Sequence, residues 1–289
     1  MSTSYEAYGL TADWLNGWLA AIGATVLVPK LRLRWSQSPT LIAIFEHDDI
    51  DDIPKAISDS LPSPESLELS PISKESSECK FSFGRQVTLE VYQERAVIER
   101  KIKSGYLAAS VSDLDKDAEK GSLIHGLFDV SGPGTIGTLW ERAYACAKEI
   151  PADDRERYVR DSLDGHGQLV NRTGLGFDPR RLPTSVHSKS DLKVDPVIEL
   201  LAFSALEIFP TRGDGKEILQ RRWTSTTAAR GVFRWEAWKP PLDRWAIDAF
   251  LDLRELDRTL VIDRFQVVPY KRRGDERNCA YFAEQVPDV

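Results

Sequence analysis

The sequence predicts an α+β protein in which mixed or antiparallel sheets pack against helices, one of them a buried central helix near residues 195–209. Two observations support this class. Apolar residues recur at helical spacing in some segments and alternate at strand spacing in others. These segments follow one another irregularly, without the strand–helix alternation that is typical of parallel α/β folds.

The length of 289 residues fits one large domain or two small ones. We expect an N-terminal α+β part over residues 1–150, with an acidic or mobile loop at 46–80, and a C-terminal α+β part over 151–289. The two parts form either two packed domains or one continuous domain.

The first predicted helix follows a Thr11 cap and ends at Gly23, with an apolar face at spacing i, i+3, i+4 and i+7. Strands are predicted next at 25–29, 31–36 and 41–45, because Pro29 and the turn residues 36–39 separate apolar runs. In the second of these strands Leu and Trp alternate with arginine. One face of that strand is therefore apolar and the other is basic.

The middle of the chain begins with five acids within residues 46–52, followed by a short predicted helix at 53–58. Residues 59–79 are dominated by Ser, Pro and Glu, which predicts an exposed linker. The pattern then favours a strand at 86–92, a charged helix at 93–103, a strand at 123–130 and a helix ending near Ile150.

The second half opens with a polar surface helix at 153–163 and a loop at 164–190. Asp195 as cap and Pro196 at the first helical position begin the buried central helix, whose residues are apolar nearly all the way round. Strands are predicted at 219–223, 231–238 and 259–268, with a helix at 242–251 between the last two.

Composition narrows the function classes. The net charge is −7, and all of the excess acid lies in residues 1–150, which carry 15 Lys and Arg against 22 Asp and Glu. A global attraction to nucleic acid is not expected, so such binding must use local patches or partner subunits.

The longest apolar run has ten residues, too short for a membrane span. The N-terminus lacks the features of a signal peptide and the three cysteines are scattered, so we expect a cytoplasmic protein without a metal site.

Several basic groups are candidates for contacts with phosphates, since clustered arginine and lysine side chains neutralise a nucleic-acid backbone. The first group lies on the basic strand face, and the others lie in the second half of the chain. They are Lys30, Arg32, Arg34, Arg172, Arg180, Arg181, Arg221, Arg222, Lys271, Arg272 and Arg273. Each one alone is equally well read as a solvated charge. The eight tryptophans are either core residues or stacking platforms for bases.

The acidic cluster offers a different chemistry. Carboxylates beside His47 could hold Mg²⁺ or Mn²⁺ in a nuclease or phosphatase. The simpler interpretation is a solvated turn whose acids lie at the N-terminus of the following helix. The sequence contains no GxSxG, HExxH or P-loop motif. We therefore expect no catalytic residue and no cofactor.

Part of the chain resembles a known family, the Csb-type effector proteins of type I-G (formerly I-U) CRISPR systems, and more loosely the large subunits of Cascade complexes. The likeness lies mainly within residues 171–250, with fainter echoes at 8–22 and 128–132. Its segments are 176–181 (GFDPRR), 195–202 (DPVIELLA), 208–210 (IFP), 233–238 (FRWEAW) and 240–242 (PPL).

The resemblance implies a non-catalytic subunit of an RNA-guided surveillance complex in antiviral defence. Its partners would be other CRISPR effector subunits, guide RNA and target DNA. In such complexes base pairing reads the sequence, while protein reads backbone shape. Two alternatives stay open at this point: a metal-dependent nuclease or phosphatase that uses residues 46–52, and a scaffold or regulator that contacts only proteins.

Overall fold

The computed structural model describes residues 2–69, 89–102, 105–106, 111–117, 122–125, 136–172, 174–175, 193–213, 218–224, 232–253, 258–271 and 279–285. The helices in these ranges are α1 (Leu15–Leu27), α2 (Ile53–Ser60), α3 (Pro64–Glu68), α4 (Leu89–Ile102), α5 (Ile136–Ala147), α6 (Arg155–Leu163), α7 (Pro196–Ala205) and α8 (Arg244–Asp252). The strands are β1 (Thr3–Thr11), β2 (Arg32–Trp35), β3 (Ile42–His47), β4 (Val111–Asp117), β5 (Ser122–His125), β6 (Thr211–Gly213), β7 (Ile218–Gln220), β8 (Phe233–Trp238), β9 (Val261–Lys271) and β10 (Cys279–Gln285).

The strands form small antiparallel sheets, which confirms the predicted α+β class. One three-stranded sheet has the order β1-β3-β2 and another has the order β10-β9-β8. Two further pairs, β4-β5 and β6-β7, are separate hairpins. A single backbone bridge between Leu33 and Leu242 joins the edge strand β2 to the segment that precedes α8. None of the helices in the described ranges is long and apolar enough to cross a bilayer.

The predicted central helix is confirmed as α7, all of whose residues are buried. The Asp195 side chain accepts hydrogen bonds from the backbone N–H groups of Val197 and Ile198, so it caps the helix as expected. A short 3₁₀ turn, Leu206–Ile208, continues the chain beyond α7.

Helix α1 packs directly on α7. An ideal Cβ built on Gly23 would lie 1.8 Å from the carbonyl oxygen of Leu201, so only glycine allows this approach of the two backbones. Gly23 was predicted to end the helix, but α1 continues to Leu27. Residues 25–29 were predicted as a strand because the segment is rich in Val and Leu and is ended by Pro29. Packing overrides that preference, and the Thr25 hydroxyl is satisfied by donating to the Ile22 carbonyl at 2.7 Å.

Three buried indoles connect the two halves of the chain. Trp18 Nε1 donates to the carbonyl of Glu236 at 3.0 Å, Trp235 Nε1 to that of Ala12 at 2.7 Å, and Trp238 Nε1 to that of Leu33 at 2.8 Å. The buried apolar residues form one core cluster that contains members from both halves.

Other local predictions were wrong. Thr11 ends the unpredicted strand β1 instead of capping a helix, and residues 89–92 are helical instead of extended. Residues 64–68 of the predicted linker form α3, which begins with a Ser63–Ser66 capping box. Leu67 in α3 is buried, and its carbonyl accepts from Trp140 Nε1 at 2.8 Å. Residues 70–79 of that linker lie outside the described residues.

Candidate nucleic-acid interface

Arg32 and Arg34 lie on one strand face as predicted, whereas Lys30, which was predicted on the same face, lies in the turn before β2. We call these three residues the basic row. Leu33 and Trp35 are buried in the core, while the alternating arginines lie on the other face of the sheet and are partly exposed. Lys30 lies in the turn that precedes β2, with 80% of its side chain exposed.

Every member of the basic row faces a carboxylate of the acidic cluster. Arg34 Nε contacts Glu46 Oε1 at 2.7 Å, within the paired strands β2 and β3. Arg32 binds both carboxylate oxygens of Asp48 at 2.8 Å, and Lys30 Nζ lies 3.6 Å from Asp49 Oδ2. We call Glu46, Asp48 and Asp49 the acidic turn. The two features that seemed independent in the sequence therefore meet in the fold.

The Arg32 guanidinium has a clear electrostatic effect on its partner. Its hydrogen bonds hold the pKa of Asp48 at about 2, below the ordinary value of a carboxyl group, even though Asp48 is exposed to solvent. Asp48 is consequently an anion at any physiological pH.

His47 organises this region from the inside. Its ring is buried, its Nδ1 accepts from the backbone N–H of Asp49 at 2.9 Å, and its Nε2 lies 3.0 Å from the carbonyl oxygen of Pro29. The neutral imidazole with the proton on Nε2 satisfies both contacts. One side chain therefore fixes the acidic turn relative to the turn that carries Lys30.

Asp52, another acid of the cluster, has structural partners. Asp52 caps α2 by accepting from the Lys55 backbone N–H at 3.0 Å, and its other oxygen accepts from Arg160 at 2.8 Å. The backbone hydrogen bond from Lys55 lowers the pKa of Asp52 most, and the hydrogen bond from Arg160 lowers it further. Within the described parts of the chain, no three His, Cys, Asp or Glu side chains are placed as the ligands of one metal ion.

Three candidate arginines of the second half lie in described segments, and these also form ion pairs. Arg172 contacts Glu149, and the buried Arg221 side chain contacts both Asp248 and Asp252 of α8. The Arg221 guanidinium donates in addition to the carbonyl of Ile208 at 2.7 Å. Arg221 thus fastens α8 to the segment after α7.

Arg222 and Glu236 form a largely buried pair at 3.2 Å. Burial lowers the pKa of Arg222 and raises the pKa of Glu236, because both charged forms lose hydration. The backbone of Arg222 has φ of 66°, a conformation that is unfavourable for a residue with a Cβ. Among the described residues, the second carboxylate oxygen of Glu236 has no hydrogen-bond partner.

Four candidates lie outside the described residues: Arg180, Arg181, Arg272 and Arg273. Lys271 is the last residue of β9. Among the predicted residues whose side chains the structure describes, the three of the basic row lie together on one surface. Arg221 and Arg222 are adjacent in the chain, but their side chains are committed to interior contacts.

Most of the tryptophans are core residues. The five buried ones are Trp18, Trp35, Trp140, Trp235 and Trp238. Trp14 and Trp223 are partly buried, and Trp245 is exposed. Trp18 makes ring contacts with two other tryptophans and two phenylalanines, with centroids 6.1–6.3 Å apart.

Trp245 is an exposed aromatic residue that the sequence reasoning did not single out. It lies in the first turn of α8 with 71% of its surface exposed, and the Arg244 guanidinium lies 5.2 Å from its ring centroid. A helical projection would have identified it, because α8 buries Ile247, Phe250 and Leu251 and position 245 lies off that face.

Comparison with protein-family models, with curated proteins and with solved structures gives no match for this chain. The site must therefore be interpreted from its own residues and geometry.

Proposed function

We propose that this protein is a non-catalytic subunit of an RNA-guided CRISPR surveillance complex in the bacterial or archaeal cytoplasm, where it helps to bind guide RNA or target DNA. The observation that carries the proposal is the basic row. Three cationic side chains follow one another along the solvent-facing side of β2 and its leading turn, an arrangement that suits a phosphate backbone.

The overall charge supports binding within an assembly more than binding by the isolated chain. A protein with net charge −7 has no long-range attraction to a polyanion. Local contacts become effective when neighbouring subunits bring the nucleic acid to the surface, because the second contact is then intramolecular.

The exposed Trp245 and the half-buried Arg244 beside it support contacts with neighbouring subunits. Tryptophan and arginine are enriched among residues that dominate the energy of protein interfaces. In this pair the arginine is also held by Glu207, with Nη2 and Oε2 3.4 Å apart.

The family resemblance supports a shared scaffold. Among its described segments, 195–202 forms the cap and body of α7, and 233–238 is β8 with Trp235 and Trp238 in the core. These residues specify packing.

Co-purification tests the proposal. The tagged chain is expressed with the genes of its native operon, isolated, and assayed for bound RNA and bound proteins. We expect both to be recovered with the tagged chain. Replacing Arg32 and Arg34 by glutamine should lower the RNA recovered and leave the protein subunits in place, because exposed basic side chains contact phosphates and not the core.

A second variant examines the protein contact. Trp245→Ala should lower recovery of the other subunits, whereas the matched control Leu169→Ala, which removes another exposed apolar side chain, should not. Isolation of the chain without RNA and without other subunits would refute the proposal. Cleavage of labelled nucleic acid that requires Mg²⁺ or Mn²⁺ and is lost in Asp49→Ala would instead establish the metal-dependent enzyme.

A further inference from the structure

The ion pairs of the basic row suggest how its access to nucleic acid is controlled. We propose that the acidic turn is a built-in competitor that occupies the basic row, and that single-stranded nucleic acid binds there by displacing the carboxylates with its phosphates. This inference rests on the proposed function and adds a regulatory contact to the same site.

The first argument is the match between the two rows. Three bases face three acids one to one: Lys30 with Asp49, Arg32 with Asp48 and Arg34 with Glu46. Alternate residues of a strand are about 6.6–6.8 Å apart, so Arg32 and Arg34 present two cations at that interval on one face, and Lys30 adds a third from the preceding turn. Neighbouring cations suit a polyanion, and the carboxylates take the positions that phosphate oxygens would occupy.

The second argument is that the acidic turn is held in place but is easily displaced. His47 anchors its backbone through Asp49 N–H, while the Asp48 and Asp49 side chains are 61% and 70% exposed. Exposed ion pairs contribute little net free energy, since water competes for both partners. A phosphate backbone that gains several contacts at once can therefore replace them.

The third argument is the backbone at Lys30. Its φ of 61° lies in the left-handed region that L-residues other than Asn and Asp rarely adopt. The fold accepts this conformation beside Pro29, whose carbonyl contacts His47 Nε2. The turn that presents Lys30 is thus specified by the same histidine that positions the acidic turn.

Removal of the competitor by isosteric amides provides the test. The triple variant Glu46→Gln, Asp48→Asn, Asp49→Asn keeps shape and the His47 contacts, since Asp49 engages His47 through its backbone. Affinity for a short labelled single-stranded RNA or DNA is measured by fluorescence anisotropy over a range of salt concentrations. We expect roughly tenfold tighter binding than for the unmodified chain. We also expect a steeper dependence of log K on log salt, by about 2, because three cations become available to phosphates.

The matched control removes three other acids that also pair with bases. Asp59, Asp154 and Glu156 pair with Lys55, Arg157 and Arg160, none of which is a candidate phosphate contact. The variant Asp59→Asn, Asp154→Asn, Glu156→Gln has the same net charge as the test variant. An equal gain in affinity would show a general charge effect and would overturn the inference.

Two further arms complete the test. Adding Arg32→Gln and Arg34→Gln to the triple variant should abolish the gain, and a gain that persists would place the binding elsewhere and refute the inference. A labelled polyglutamate that binds the triple variant as tightly as the oligonucleotide would assign the face to acidic proteins instead. All arms use the isolated chain, so failure here is distinguishable from failure of co-purification with the operon.

Discussion

Replacement of Gly23 by alanine tests the contact between α1 and α7. The new Cβ would lie 1.8 Å from the Leu201 carbonyl oxygen, 2.7 Å from the Leu201 carbonyl carbon and 3.2 Å from the Ala205 nitrogen. All three are backbone atoms of a buried helix, so no side chain can move aside. Separations below 3.0 Å are not seen for real Cβ atoms, and the helices must part by more than about 1 Å.

Two effects of opposite sign compete in this substitution. Helix propensity alone favours alanine over glycine by about 1 kcal/mol. Overpacking of a close-packed core costs about 1–3 kcal/mol and sometimes more. The contact here is with rigid backbone, so we expect the upper end of that range and a net loss of about 2 kcal/mol in the free energy of unfolding.

Equilibrium denaturation in urea, followed by tryptophan fluorescence, measures this loss. Ala249→Gly on the exposed side of α8 serves as the control for propensity and should cost about 1 kcal/mol. If Gly23→Ala leaves the stability unchanged or increases it, the close approach of α1 and α7 is wrong. The outcome also bears on domain organisation, since the two helices come from the two halves of the sequence.

Three other predictions follow from the described contacts. Trp18→Ala should lower the free energy of unfolding by about 3–5 kcal/mol in urea denaturation, because it empties the centre of the aromatic cluster. Asp48 should titrate with a pKa of about 2 by carboxyl NMR. Its pairing with Arg32 therefore stabilises the fold fully at any pH above the ordinary carboxyl pKa, and this stabilisation is lost as pH falls toward the lowered pKa. Arg32→Gln should raise the pKa of Asp48 toward its ordinary value. Burial raises the pKa of Glu236, so the folded state binds this proton more tightly than the unfolded state. The contribution of Glu236 to the free energy of unfolding therefore falls as pH rises through the raised pKa. Glu236→Gln should remove that slope from the free energy of unfolding measured against pH, and an unchanged slope would contradict the assignment.

The sequence predicted elements well where signals were local. Asp195 and Pro196 mark the start of α7 by cap chemistry that acts within a few residues, and both occupy the predicted positions. The alternation of β2 was also read correctly, because a strand at a sheet with one buried face shows its period in the residues themselves.

Predictions failed where distant packing decides. Gly23 has the signature of a helix end, but here glycine is required by the backbone of Leu201, which lies far away in the chain. Leu89 to Tyr92 contain β-formers but belong to a charged helix. The intrinsic preference of a residue for helix or strand is smaller than the free energy of burying a helix face, so tertiary contacts override it.

Ion pairs at the candidate site could not be predicted from the sequence either, because their partners lie far apart in the chain. Arg32 and Asp48 are 16 residues apart and form a bidentate pair only because β2 and β3 are hydrogen-bonded neighbours. In the sequence, the basic strand and the acidic cluster are two distinct segments of opposite charge. In the sheet, they are neighbours whose side chains form ion pairs. The functional meaning of either segment therefore depends on whether the pairing persists when a polyanion is present.

Burial separates the second-half arginines from the basic row in a way that no local pattern shows. The Arg221 side chain is 6% exposed and that of Arg222 is 12% exposed, whereas Arg32 and Arg34 are 29% and 34% exposed. Breaking a buried pair leaves an uncompensated charge in the interior and costs about 3–5 kcal/mol, while an exposed pair is exchanged for new partners at small cost. The pairs of the basic row, which are more exposed than those of Arg221 and Arg222, can give up their carboxylates to a ligand without unfolding their surroundings. Competition for phosphate is thus physically accessible at the basic row and not at Arg221 or Arg222.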